Sequence, residues 1–242
     1  MKPLKDHLPV MPLKPQKNPL EAKTTAFPSK GTGMNVEDVF PHYIRFAQSQ
    51  IPGFSIQPAY EAVVSTLLAY FSGDTAACQV KGIRLDKGLF LMGPVGCGKT
   101  TLMKLCQAFF SHKPFRMMTC RKISQQFARE GYSALLRYGS QSYRIKHLGY
   151  GPVLLYEQPI TYCLDDVGAE PSAKYFGNDC QVIAEILQDR YEEFIHRKMM
   201  THATTNLTTE ELQQRYHERV RSRLREMCNL IAFPPSIPDW RR

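Results

Sequence analysis

Residues 87–110 read KGLFLMGPVGCGKTTLMKLCQAFF. A short apolar run, Leu89 to Met92, enters a glycine-rich turn, and a helix-like pattern leaves it. Gly93, Gly98, Lys99 and Thr100 complete G-x-x-x-x-G-K-T, the phosphate-binding loop. Glycines at that spacing let successive backbone N–H groups curl round phosphate oxygens without a side-chain clash. The helix that follows aims its positive end at the same phosphates. Lys99 is expected to reach the terminal phosphates, and the Thr100 hydroxyl to ligate Mg²⁺. The segment Gly93, Pro94, Val95, Gly96, Cys97, Gly98, Lys99, Thr100 and Thr101 is therefore the expected nucleotide-binding stretch, with ATP and Mg²⁺ as its ligands.

A metal held by a phosphate loop needs a second acid. In ITYCLDDVG, residues 160–168, apolar residues run straight into Asp165 and Asp166. A buried strand ending in two carboxylates suits this: Asp165 for Mg²⁺ through water, Asp166 to polarise the attacking water. The spacing from Thr100 leaves room for a helix, a strand (Phe115 to Thr119) and another helix. An inserted strand of this kind favours the additional-strand ATPases over small-molecule kinases. A further strand, KMMTHATTNL, ends in Thr204, Thr205 and Asn206. Open parallel sheets present the carboxyl ends of their strands to the ligand crevice. Asn206 is thus expected to hold the lytic water or γ-phosphate, or else to punctuate the turn before a helix capped by Thr208 and Glu211.

In that helix Leu212, Tyr216, Val220 and Leu224 recur every four residues, an apolar stripe for the core. Arg215, Arg219 and Arg223 flank it on one side, Arg221 and Arg225 on the other. A charge run is usually a solvated face, but a transferring phosphate needs extra positive charge. P-loop ATPases commonly take it from a neighbouring subunit as an arginine finger.

GPVGCGKT, CLDDVG, ATTNL and ERVRSRLREM, in this order, resemble the DnaC/IstB-like branch of AAA+ ATPases, which contains replicative helicase loaders and transposase helper ATPases. The likeness covers about residues 80–242. It implies an α/β fold: a P-loop NTPase of the additional-strand, AAA+ type, a three-layer sandwich with a mainly parallel sheet, preceded by a short helical segment. It implies ATP hydrolysis, an Arg223 finger acting in trans between copies of the chain, and partners among DNA and a replicative hexameric helicase. The alternatives are a transposase with duplex DNA, or an adaptor with negligible hydrolysis. DWRR at the end of the sequence resembles the sensor-2 motif, in which Arg241 or Arg242 touches the γ-phosphate of its own subunit.

Outside these motifs the reading is coarser. The formal charge is +9, from 31 Lys and Arg against 22 Asp and Glu, which favours an anionic partner. Residues 1–33 hold six prolines and six lysines and read as a disordered basic arm, either solvated or in contact with nucleic acid or a partner. Residues 34–80 read as a small helical segment and 81–242 as the ATPase domain. Between Gly131 and Ile160 five tyrosines mingle with Arg137, Arg144, Lys146 and His147. That mixture suits stacking on single-stranded bases, so single-stranded DNA is favoured over duplex; a surface insertion packed on the domain is the other reading. Seven cysteines without a CxxC pair point to free thiols in a reducing, cytoplasmic setting and to no cysteine-bound metal. No apolar run approaches the ~18 residues of a spanning helix, so no membrane partner is expected.

Overall fold

The computed structural model describes residues 35–148, 154–175 and 178–234. In chain order, α1 (Val36–Gln50), α2 (Pro58–Ser72) and α3 (Thr75–Val80) precede β1 (Gly88–Met92) and α4 (Lys99–Phe109). Next come β2 (Arg116–Thr119), α5 (Cys120–Glu130), α6 (Tyr132–Tyr138), β3 (Tyr143–Leu148) and β4 (Leu154–Pro159). They are followed by β5 (Tyr162–Val167), β6 (Ala173–Tyr175), β7 (Asn178–Cys180) and α7 (Val182–Arg197). β8 (Thr201–Thr205), α8 (Thr209–Met227) and β9 (Cys228–Ala232) complete the described chain.

Five strands form one sheet in the order β2-β5-β8-β1-β9, with every neighbouring pair parallel. Parallel strands need helical crossovers, so both faces are covered, and β1 reads as a near-continuous apolar run. β1 shows why: Leu89 and Leu91 enter a cluster with α1, α2 and α4, while Phe90 enters the opposite cluster with α5, α6, α7 and α8. This is a three-layer α/β sandwich. The strand that the motif spacing predicts at Phe115 to Thr119 is β2, at the sheet edge beside β5, and β8 lies between β1 and β5.

The helices begin and end where local chemistry dictates. Asn35 caps α1 by accepting from the Glu37 amide, and Gly73 closes α2 in the left-handed region at φ 76°. Thr208 and Glu211 form a reciprocal capping box on α8, as their spacing predicts. The stripe Leu212, Tyr216, Val220 and Leu224 is buried throughout, although α8 is broken at His217, whose φ is 65°. α1 and α2 do not stand apart from the sheet: Tyr43 and Phe71 belong to the same cluster as Leu102 of α4.

The tyrosine-rich region contains α6 and the antiparallel pair β3–β4. Tyr132 is exposed, but Tyr138 is buried, with its ring centroid 5.3 Å from that of Tyr162. Tyr138 is thus a core residue, and Tyr150 lies outside the described residues. The basic arm, residues 1–33, and the terminal Arg241 and Arg242 also lie outside them. Of the seven cysteines, all free, six are buried and Cys180 is half-buried.

Candidate functional site

Because β1, β5 and β8 are parallel neighbours, their carboxyl ends open on one edge, where the phosphate loop, the two aspartates and Asn206 all fall. The loop leaves β1 at Gly93, passes the exposed Val95 and the buried Cys97, and enters α4 at Lys99. Two glycines carry its geometry. Gly98 caps α4 at φ 82°, a left-handed conformation that side chains resist. A Cβ on Gly93 would lie 2.6 Å from the Cβ of Phe233, so the loop can pass β9 only without a side chain there.

Lys99 is buried, and its ammonium donates to three oxygens: Gly93 O at 2.8 Å, Pro94 O at 2.9 Å and Asn206 Oδ1 at 2.7 Å. The Nδ2 of Asn206 in turn donates to Asp166 Oδ1 at 3.3 Å. One asparagine therefore ties the loop lysine to the second aspartate. The Thr100 hydroxyl donates to Asp165 Oδ1 at 2.8 Å, and Thr204 donates to the same oxygen at 2.7 Å. Burial raises the pKa of the Asp165 carboxyl, and the two hydroxyl bonds, which favour its ionised form, pull it partly back.

Two adjacent residues of a regular strand point to opposite faces. Asp165 and Asp166 nevertheless both engage the site, because β5 carries an irregularity there. Its register on β8 shifts between Leu164, opposite Ala203, and Val167, opposite Thr205, which leaves one extra residue in β5. Asp166 takes a φ of 58°, in the left-handed region that aspartate tolerates better than most side chains. Its amide donates to Thr204 Oγ1 at 2.9 Å. Thr204 thus fixes both aspartates, one through its acceptor and one through its donor.

Motif reading alone does not find a second support. Glu170 is buried, and its Oε2 accepts from the Gly168 amide at 2.9 Å, closing the turn that follows Asp166. Its other carboxylate oxygen accepts from the Tyr216 hydroxyl of α8, and Arg215 bonds Glu170 as well. These partners lie 45 and 46 residues away, so no local pattern announces them.

The arginines of α8 have separate fates. Arg215 belongs to the Glu170 cluster, Arg221 pairs with Glu218 at 2.6 Å, and Arg219 is exposed. Arg223 is held against α7, with its guanidinium 2.9 Å from Glu192, 3.3 Å from Gln188 and 4.7 Å from the Tyr191 ring centre. It is not part of its own chain's loop constellation.

The donor set can be tested against Mg²⁺. Thr100 and Asp165 offer hard oxygen donors side by side, and Mg²⁺ is usually held by one or two such groups plus substrate phosphates. Among the described residues no group of three or more His, Cys, Asp or Glu could hold a metal without such help. The residues present fit that mode of binding.

Neither a family model nor a curated protein matches the chain. Among solved structures it is similar to a candidate primosome component from Streptococcus pyogenes serotype M3, at TM-score 0.50 and 16% identity over 75% of this chain and 83% of that one. It is similar to a DnaC helicase loader at TM-score 0.50 and 16% identity, over 80% of this chain and 99% of that one. The chain shares the three-layer α/β fold of these structures. That agrees with the resemblance to the DnaC/IstB-like branch read from the motifs. In the described residues no helix is long and apolar enough to cross a membrane.

Proposed function

We propose that the chain is an ATP-dependent DNA replication protein of helicase-loader type, which binds and slowly hydrolyses ATP with Mg²⁺ and self-associates on DNA. One observation carries the nucleotide part of this reading. The Lys99–Asn206–Asp166 bridge and the Thr100–Asp165–Thr204 cluster meet at the carboxyl edge of one parallel sheet. The DnaC-type fold and the DnaC/IstB-like motifs support the loader part.

The chain's own groups divide the work. Loop amides and Lys99 bind and orient the β- and γ-phosphates, and Thr100 and Asp165 hold the cation. Bound Mg²⁺ would supply charge neutralisation at the phosphates. Asp166, positioned by Thr204 and Asn206, orients the attacking water and accepts its proton. Its side chain is one methylene shorter than glutamate, so the water is held less closely and turnover falls below about 10 s⁻¹, the enzyme median. Arg223 lies in the part of α8 beyond the break at His217, held on α7 and away from its own loop. There it is suited to a neighbouring copy's ATP, in exchange for Glu192.

Capture tests the proposal. Loaded with a non-hydrolysable ATP analogue, the protein should retain a replicative hexameric helicase, and retain less of it with ADP. Retention of a transposase and not of a helicase would overturn the loader reading in favour of the helper. Capture of the helicase with no turnover, with or without DNA, would leave a nucleotide-gated adaptor.

A further inference from the structure

Opposite the nucleotide edge, at the amino ends of β2, β5 and β8, the chain forms a half-open cavity of about 300 Å³. Its charged lining is Lys113, Arg116 and Arg144, and no carboxylate lines it. Among the described residues none of these three cations forms an ion pair. Lys113 donates to the Tyr70 carbonyl, Arg144 donates to Gln158 Oε1 at 3.0 Å, and Arg116 is exposed. The lining also has an apolar part, which includes Leu85, Pro159, Ile160 and Met200.

Three cations round one recess, with no acid to offset them, repel one another. Such a cluster is stabilised by an anion that carries more than one charge or several acceptor oxygens. Phosphate meets that condition, and guanidinium groups match its geometry. The apolar part asks for a flat, weakly polar body joined to that phosphate, and a nucleobase supplies one. We infer that the cavity is a second nucleotide-phosphate site, which takes one unit of a single-stranded nucleic acid. The phosphate lies among Lys113, Arg116 and Arg144, and the base lies on Pro159 and Ile160. This deepens the DNA-binding part of the function proposed above and does not depend on helicase capture.

The position separates the site from ATP. Of the residues that line it, Thr161 lies four residues before Asp165 of β5, and Met200 six residues before Asn206, which follows β8. At about 3.3 Å per residue these stretches span roughly 13–20 Å, so both sites can be filled at once.

The test uses the full chain and two probes: labelled oligo(dT) of about 20 nucleotides in fluorescence anisotropy, and dTMP as competitor. Arg116→Glu/Arg144→Glu should weaken oligonucleotide binding about tenfold or more. Losing the contact to that one phosphate should also lower the salt slope by roughly 0.7. ATP binding should stay unchanged, and the exposed control Lys174→Glu should bind the strand normally. If dTMP displaces the strand at an equal nucleotide concentration, the same chemistry serves a free mononucleotide. If the double variant keeps its affinity for both probes, the site is wrong. A polyglutamate peptide that binds as tightly, and is lost in the same variant, would also overturn the nucleotide assignment. Wild-type protein that binds neither probe overturns the site yet leaves the helicase-capture test untouched.

Discussion

At the scale of single residues, Lys99 and Asp166 meet through the Asn206 amide, yet they predict different failures. Lys99 carries the loop's positive charge, and hydrogen bonds to charged groups contribute about 1.5–3 kcal/mol. Lys99→Ala should therefore weaken ATP binding roughly 10- to 100-fold, read in a nucleotide titration. Unchanged affinity would remove the loop assignment. Asp166→Asn keeps the side-chain shape and the oxygen that accepts from Asn206, but loses the basicity that takes a proton. Turnover should fall by about 10²–10⁴ while ATP affinity holds, since general-base effects have that size. A variant that hydrolyses ATP at the wild-type rate contradicts the role. The motif residues themselves were legible because their chemistry is local. Thr204 as the common support of both aspartates was not, since its partners lie 38 and 39 residues away.

Among the elements, β5, β8, α6 and α7 meet on one buried cation. Arg190 of α7 is fully buried and donates to Thr201 Oγ1 at 2.7 Å and to the carbonyls of Tyr138, Ile160 and Met200 at 2.8–3.0 Å. Among the described residues no carboxylate pairs with it, and burial pushes its pKa down to about 10. Four oxygens from three stretches of chain do the balancing. Arg190→Met would leave those acceptors buried and unpaired, so stability should drop by roughly 1–3 kcal/mol or more, read as a lower midpoint in urea. A loss under ~1 kcal/mol would show that the acceptors find other donors. Here the sequence is nearly silent: an arginine in an amphipathic helix looks like a solvated one. β9 and the β3–β4 and β6–β7 pairs are equally hard to foresee, because short strands are defined by partners that only folding brings near.

For the whole molecule, the buried ring of His202 sets a pH limit. Its Nδ1 accepts from the Leu89 amide at 3.1 Å, and it packs on Phe115, Phe71 and Tyr70. Burial holds its pKa down to about 3, against about 6.5 in the unfolded chain. The folded state therefore gains nothing from protonation over that window while the unfolded state does. The contribution of neutral His202 is complete above pH ~6.5 and is lost as pH falls toward 3, at up to ~1.4 kcal/mol per unit. Between pH 7 and 5 the wild type should lose about 2 kcal/mol more than His202→Asn, whose amide oxygen can accept the same bond. Equal losses in chemical denaturation would refute the assignment. Assembly is tested by mixing. Arg223→Ala carries an intact loop and Lys99→Ala an intact finger, so each alone should be inactive, with finger losses on the order of 10³–10⁵. Mixed, they should recover part of the activity. No recovery in co-assembled variants would return Arg223 to its plain pairing with Glu192.

Sequence alone determined the features whose physics is short-ranged. Glycine spacing in GPVGCGKT sets a loop that amides can line, apolar runs ending in Asp165 and Asn206 mark strands, and Thr208 with Glu211 starts a helix. Each of these is settled by backbone sterics or by neighbours within a turn or two. Even the inserted strand followed from counting residues between two such signals. Tertiary structure alone decided how these pieces bear on one another. The extra residue in β5 turns Asp166 toward the site, Glu170 locks the turn after it to α8, and Arg223 rests on α7. It also brought Arg144 of β3 to Arg116 of β2 and to Lys113 of the turn before it, around one cavity. Those arrangements depend on contacts between residues far apart in the chain, and the energy of such a contact exists only once packing has excluded water from it.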